Sequence, residues 1–341
     1  PKTVLVIDEA GMVGSRQTSK LIDCARESGA KLVLVGDHKQ LQPIDAGGAF
    51  KAIQSKIGAA EMVENRRQKH QWAAQSAEDV RDGNVIKALH AYNKNDQLHI
   101  NNSIDEASQN LVGRWNQNIN DLEDVKENLI MGSTNAEVKK LNDMARNLMR
   151  ERHMLGASTE IDTAKGRLEI SEGDRVLFNE RNRHLEIENG TLGHVKRITT
   201  NQILIETDGG QMVNLYGTDY DEITLGYAVT THKSQGDTID NTFILQSGVM
   251  ASNDLTYVQM SRHREESHIF LDRQAFENQI KTQLEEIPPT PNMIDLAEQV
   301  AHEKQLDLPE GYKDDFWECR EFLNQNVKNE LLKKEDAQLL A

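Results

Sequence analysis

Two short, mostly apolar runs that each close on carboxylates constrain this chain more than anything else in it. Thr3-Val4-Leu5-Val6-Ile7 leads into Asp8-Glu9, and Lys31-Leu32-Val33-Leu34-Val35 leads into Gly36-Asp37. Such β-branched runs suit parallel strands buried on both faces. Between them Leu21, Ile22 and Ala25 recur at helical spacing from Ser15 to Ser28, and Gly29 supplies a helix stop. The pattern predicts a β-α-β unit of a doubly wound sheet, whose ligands sit beyond the carboxyl ends of the strands. An Asp-Glu pair at such an end suits nucleotide hydrolysis. Asp8 would hold the water shell of Mg2+, and Glu9 would orient or deprotonate the attacking water. On the next strand end, Gly36-Asp37-His38-Lys39-Gln40-Leu41-Gln42 places Gln40 on a turn where an amide can sense a γ-phosphate. The competing readings are a solvated helix N-terminus for the acidic pair and a plain strand–helix loop for the turn.

Further along, about Asn65 to Asn120 reads as polar and mostly helical, with Trp72, Val80, Leu89, Tyr92, Leu111 and Trp115 as spaced apolar anchors. A strand at Leu129-Ile130-Met131 leads into the capping box Thr134-Asn135-Ala136-Glu137, which opens a helix with Val138, Leu141, Met144, Ala145 and Leu148 on one face. Residues 166–218 change character. Short alternating runs separated by Asn189-Gly190 and Asp208-Gly209-Gly210 predict a small antiparallel β-barrel. Strand–helix alternation then resumes at Tyr227–Thr230, Phe243–Leu245 and Ile269–Leu271, so the barrel reads as an insertion in a second α/β domain. Pro288, Pro289 and Pro291 mark a linker before an acidic helical tail.

Charge limits the partners. The 341 residues carry 39 Lys+Arg against 55 Asp+Glu, a net charge of −16, which is ill suited to holding nucleic acid by bulk attraction. Half of that excess lies in residues 276–341, with 7 basic and 15 acidic side chains. Any anion-binding groove must therefore be local, built from a few placed Arg and Lys. Cys24 and Cys319, far apart in sequence, exclude a disulfide framework and a thiolate zinc site, and fit a reducing, cytoplasmic setting. No apolar run approaches the ~18 residues of a membrane span.

Val6-Ile7-Asp8-Glu9-Ala10-Gly11-Met12 and Gly36-Asp37-His38-Lys39-Gln40-Leu41-Gln42 resemble motifs II and III of superfamily 1 helicases of the RecD-like branch. Glu64-Asn65-Arg66-Arg67-Gln68 resembles motif IV, Thr230-Thr231-His232-Lys233-Ser234-Gln235-Gly236 motif V, and Val258-Gln259-Met260-Ser261-Arg262-His263-Arg264 motif VI. Within that branch, Asp-Glu-Ala-Gly-Met-Val-Gly-Ser-Arg-Gln, Arg-Arg-Gln ahead of Trp72, and Met-Ser-Arg-His-Arg resemble the helicase half of TraA-type conjugative relaxase–helicases. The resemblance covers about residues 1–275.

It implies an α/β fold of RecA-like P-loop NTPase domains, with a small SH3-like β-barrel insertion and a C-terminal helical tail. The expected division is 1–64 for a partial first RecA-like domain, 65–165 with 219–275 for the second, 166–218 for the insertion, 276–291 for a linker and 292–341 for the tail. The implied activity is an ATP-dependent, 5′→3′ DNA helicase or translocase of plasmid transfer, using ATP and Mg2+ on single-stranded DNA. Asp8, Glu9, Gln40, Arg67 and Arg262 take the catalytic positions, the two arginines as fingers on the γ-phosphate. Asp8, Asp37, Gln40, Arg67, Gly236 and Arg262 take the nucleotide-binding ones. Thr231, His232, Lys233 and Gln235 are the expected DNA contacts. Arg181-Asn182-Arg183-His184 in the insertion reads equally as a phosphate-lining stretch or as a solvated tip neutralised by Glu180 and Glu186. The tail is expected to serve as a spacer or to meet conjugation proteins.

One part is missing. The phosphate loop G-x-x-x-x-G-K-[ST] needs a Gly-Lys dipeptide, and the sequence has none. The expectation is a piece of a longer enzyme, inactive as an ATPase by itself. The other readings are an ATPase-inactive DNA-binding or scaffold remnant and a stand-alone RecD-like repair helicase.

Overall fold

The computed structural model describes residues 3–37, 48–60, 67–217, 220–234, 238–247, 253–274, 289 and 291–314, with residues 319, 322, 323 and 326. Strand β1 (Val4–Ile7) pairs in parallel with β2 (Lys31–Leu34), from Val4 opposite Lys31 to Ile7 opposite Leu34. Helix α1 (Ser15–Ser28) is the crossover, and Gly29 ends it at φ 65°. The strands are not buried on both faces as their composition predicts. Side chains alternate, and Val4 and Val6 are 55% and 57% exposed, while Leu5 and Ile7 are half-buried. Among the described residues this sheet has only two strands, so one apolar face has no layer to cover it. Helix α2 (Ala49–Ile57) follows.

The second unit contains helices α3 (Gln71–Arg81), α4 (Val85–Lys94), α5 (Ile104–Gln117), α6 (Asp124–Glu127) and α7 (Asn135–Glu151). Its sheet has the order β12-β4-β13-β14-β3, all parallel. These strands are β3 (Leu98–Asn101), β4 (Asn128–Gly132), β12 (Ala228–Thr230), β13 (Ile239–Gln246) and β14 (His263–Asp272), with α8 (Asn253–Met260) crossing from β13 to β14. The two-residue period of each strand splits it between two cores. Ile130, Ala228, Phe243 and Phe270 face α5 and α7, packing on Leu111, Trp115, Leu141 and Ala145. Leu129, Met131, Val229, Ile244 and Ile269 face the other way, onto Val80, Leu89, Tyr92 and Met260. This is the doubly wound arrangement that the strand–helix alternation predicts.

Local chemistry fixes the joints. Thr134 accepts from the Glu137 amide at 3.2 Å and the Glu137 carboxylate accepts from the Thr134 amide at 3.0 Å, the expected capping box of α7. Edge strand β12 does not end in unpaired backbone: the Asn142 amide accepts from Ala228 N–H at 3.0 Å and donates to its carbonyl at 2.9 Å, standing in for a neighbouring strand.

Between α7 and β12 the chain forms a hairpin, β5 (Ser158–Thr163) with β6 (Gly166–Ser171), and then five antiparallel strands. These are β7 (Arg175–Phe178), β8 (Leu192–Thr199), β9 (Gln202–Thr207), β10 (Met212–Asn214) and β11 (Ile223–Leu225), in the order β10-β9-β8-β7-β11. Both turn signals hold, with Gly190 at φ 92° and Gly210 at φ 83°. Val176, Phe178, Val195, Ile205, Val213 and Ile223 make a separate core. Among the described residues the five strands pair in the order β10-β9-β8-β7-β11, and no pairing of β10 with β11 is detected.

A buried polar knot fastens this insertion to its host. Asp174, fully buried, accepts from Arg146 Nε at 2.9 Å, from the Tyr227 hydroxyl at 2.8 Å and from the Ser171 amide at 2.6 Å. Arg146 belongs to α7, ahead of the insertion, and Tyr227 stands at its exit. Burial pushes the Asp174 carboxyl up, against the guanidinium and the hydrogen bonds that favour its charge.

At the far end α9 (Pro291–Lys304) packs Met293, Ala297 and Val300 on Cys319, Phe322 and Leu323, a core of its own. No helix among the described residues is long and apolar enough to cross a membrane. Gln40, Gln235, Gly236, Glu64 to Arg66, most of the expected linker and the end of the tail lie outside the described residues.

Candidate nucleotide and nucleic-acid site

The acidic turn after β1 is held in a strained shape. Glu9 sits in the left-handed region at φ 49°, ψ 38°, its amide donating to Asp8 Oδ1 at 2.9 Å, and Ala10 N–H bonds the Val35 carbonyl at 2.8 Å. The two strand ends stack without space for a side chain between them. A Cβ on Gly36 would lie 3.0 Å from the amide nitrogens of Ala10 and Gly11, and one on Gly11 would lie 3.1 Å from the Asp37 carbonyl. So Asp8, Glu9 and Asp37 share one end of the sheet, with the Asp8 side chain exposed and Glu9 half-buried.

A left-handed glutamate costs about 1–2 kcal/mol relative to an unstrained residue. Glu9→Gly is therefore expected to raise stability by about 1 kcal/mol while removing the carboxylate. Urea unfolding reads this directly, and a variant no more stable than the parent contradicts it.

Arg67 and Arg262 come together at the start of β14. Arg67 Nη1 donates to the Ser261 carbonyl at 2.8 Å, and Gln68 Nε2 bonds the carbonyls of Ser261 and His263 at 3.1 and 3.0 Å. Arg262 is no exposed ion pair. It is 1% exposed, with Nε on the Val258 carbonyl at 3.0 Å and Nη2 on Ser261 Oγ at 3.2 Å. His263 is buried behind it, edge-on to Tyr92 at 6.4 Å, and burial pushes its imidazole down to about 4, so it stays neutral.

Tyr257 lies near both groups. Burial, with the charge of the Asp37 carboxylate, pushes its phenol up to about 12, and the Arg262 charge acts against that shift. Residue spacing does not single Tyr257 out, because Asp37 lies more than two hundred positions away and no spacing rule links a strand-end Asp to a mid-helix Tyr.

The expected DNA-contact loop divides. Thr231 is fully buried, its hydroxyl accepting from Gln259 Nε2 at 2.8 Å, so its side chain shapes the loop from inside. Ser234 is buried too, on the Thr231 carbonyl at 2.8 Å. His232 is exposed. Lys233 is half-buried, bonded to Asn179 of the insertion, and burial with the nearby Lys165 charge pushes its ammonium down. In the insertion, Arg181 pairs with Glu188 at 3.0 Å, not with the expected Glu180 or Glu186.

Among the described residues no three His, Cys, Asp or Glu side chains are grouped to hold a metal ion.

A family model described as an AAA domain matches residues 1–103. The chain is 38% identical over 278 residues to the conjugal transfer protein TraA of Rhizobium radiobacter, covering 81% of this chain and 25% of that protein. It is 26% identical over 284 residues to the ATP-dependent RecD2 DNA helicase of Deinococcus radiodurans, covering 78% and 36%. In fold it is similar to Bacteroides Pif1 bound to ssDNA, with a TM-score of 0.53 and 19% identity over 88% of this chain and 76% of that one. The chain is homologous to TraA and to the RecD2 and Pif1 helicases of superfamily 1. Its parallel-sheet unit has the RecA-like fold of Pif1. Homology supports a helicase-like, DNA-binding role, and the chain spans about a quarter of the length of the TraA relatives it matches.

Proposed function

We propose that this chain carries motifs II to VI of an ATP-dependent, 5′→3′ helicase or translocase of conjugative DNA transfer. The observation that carries the reading is the gathering of Asp8, Glu9 and Asp37 at one sheet end and of Arg67 and Arg262 at the start of β14, with Asp37 and Arg262 both near enough to Tyr257 for their charges to act on its phenol. In this reading the first RecA-like domain is residues 1–64, and the second is 65–165 with 219–275 around the insertion. The cleft between them takes ATP·Mg2+, which supplies the γ-phosphoryl group. Asp8 holds the water shell of the metal, Glu9 orients the attacking water and accepts its proton, and Gln40 and Asp37 line the γ-phosphate side. Arg67 and Arg262 donate to phosphate oxygens, a task suited to a guanidinium because it stays charged and donates in a fork. The backbone near Gly236 completes the nucleotide contacts.

Single-stranded DNA lies on the loop after β12. With Thr231 turned inward, the contacts fall to His232, Lys233 and Gln235. The acidic tail meets a conjugation protein.

The test is paired. The 341-residue chain is expected to bind an oligo-dT by fluorescence anisotropy, and Lys233→Ala to weaken that binding and shallow its salt dependence by about 0.7 of a log unit per log unit of salt. The same chain is expected to show no DNA-stimulated ATP hydrolysis, because it lacks the glycine–lysine phosphate loop. Turnover abolished by Glu9→Gln would mean that another element cradles the phosphates. Absence of oligo-dT binding at low salt would sink the nucleic-acid half of the reading.

A further inference from the structure

Gln259, the last but one residue of α8, holds two parts of the molecule that are far apart in sequence. Its main-chain carbonyl accepts from the Arg262 amide at 3.5 Å, and its side-chain Nε2 donates to the Thr231 hydroxyl at 2.8 Å. On the arginine side, the Arg262 guanidinium folds back on the Val258 carbonyl at 3.0 Å, while Arg67 and Gln68 bond the Ser261 carbonyl at 2.8 and 3.1 Å. On the loop side, the Thr231 amide bonds the Gly132 carbonyl at 3.3 Å, and the Thr231 carbonyl accepts from Ser234 Oγ at 2.8 Å. Gln246, at the end of β13, donates to Gln259 Oε1 and completes the row. Gln259 and Thr231 have no solvent exposure and Gln246 has 2%. The flanking Val258 and Met260 are buried and apolar, so an apolar side chain would fill position 259 without needing partners. Instead a buried amide finds both an acceptor and a donor, on separate elements, and each bond in such a row polarises the next.

We infer that Gln259 is a positioning residue: it joins the Arg262 corner to the loop after β12, so that the two shift together. With no exposure of its own, Gln259 touches no ligand and acts only through Thr231 and Arg262. An amide suits the task because it donates and accepts at once and brings no charge into a buried site beside an arginine. That the corner meets a phosphate, and that His232 and Lys233 on the loop meet single-stranded DNA, rests on the function proposed above; the linkage itself does not. In that reading a strand bound at the loop alters the setting of Arg262, and by reciprocity a nucleotide at Arg262 alters the hold on the strand.

Amide hydrogen exchange on the 341-residue chain tests the linkage. It reads Lys233 and Ser234, whose amides bond the Thr230 carbonyl at 2.9 and 3.2 Å, and Ser261 and Arg262 at the other end. Gln259→Met keeps the side-chain length and loses the amide; Thr231→Val keeps the branched shape and loses the hydroxyl. Each is expected to speed exchange at both ends about tenfold, since either leaves a buried partner unsatisfied. The double variant is expected to go no further than the stronger single, the mark of one shared bond. Thr242→Val, which breaks a buried hydrogen bond to Ser267 of 2.8 Å in the same sheet, is expected to move neither end. A single variant that loosens only its own end, or additive effects in the double, overturns the linkage. Should Gln259→Met misfold, Thr231→Val read at Ser261 and Arg262 tests the same bond from the loop. With oligo-dT bound, the parent is expected to gain protection at both ends and Gln259→Met at the loop alone; protection that spreads equally in both also overturns it. Failure of oligo-dT to bind the parent counts only against the proposed function and leaves the exchange result without DNA standing.

Discussion

Asp174→Ala is expected to destabilise the protein by about 3–5 kcal/mol, the usual result of removing one partner of a buried ion pair. The change strips a partner from Arg146, from the Tyr227 hydroxyl and from the Ser171 amide at once, at a position with no solvent exposure. Glu169, 3.3 Å from Arg146, keeps the guanidinium from being wholly uncompensated. Asp174→Asn retains acceptors for Tyr227 and Ser171 and is expected to lose distinctly less. The comparison is Asp143→Ala on α7, which breaks an exposed pair with Lys139 and is expected to sit near the limit of measurement. Urea unfolding followed by tryptophan fluorescence reports all three, since Trp115 is fully buried in the adjoining core. Equal losses for Asp174→Ala and Asp143→Ala would show that the knot carries no special weight.

The second large effect is chemical. In a polypeptide that turns over ATP at this site, Arg262→Lys is expected to lower single-turnover hydrolysis by about 10³-fold or more, the range for losing an arginine finger. Lysine keeps the charge but not the fork, and it leaves the Val258 carbonyl and Ser261 hydroxyl without their donors. A nucleotide Kd that stays within a few-fold of the parent while hydrolysis collapses would place the loss in the transition state. A rate within tenfold of the parent would remove Arg262 from the chemistry.

Much of this architecture is visible in the sequence, because periodicity is a local signal. Helix α1 runs from Ser15 to Ser28 as its spacing predicts, Gly29 closes it, and the Thr134–Glu137 capping box forms. The apolar runs at 129–131, 227–230, 243–245 and 269–271 all fall in or beside strands of one parallel sheet. What composition could not give is which faces find a partner. Val4 and Val6 look the same as Ile130 and Val229, yet the first two are exposed and the second two buried. The polar joints were invisible for a different reason. Asp174, Arg146 and Tyr227 meet across long stretches of chain and belong to no repeating pattern. Thr231 shows the limit of motif reading: residue type and position fit a surface contact, but its side chain points inward to Gln259.

The Lys233–Asn179 hydrogen bond has a mechanical meaning. Asn179 is itself anchored, its amide bonding the Glu222 carbonyl at 2.7 Å and its side chain Thr224 at 3.0 Å. A pull on the loop after β12 therefore has two load paths, one into the parallel sheet and one through Asn179 into the antiparallel strands. Asp174 ties those strands to their host as well, through Arg146 ahead of them and Tyr227 at their exit. Force arriving at Lys233 would be borne by host and insertion as a single stiff piece.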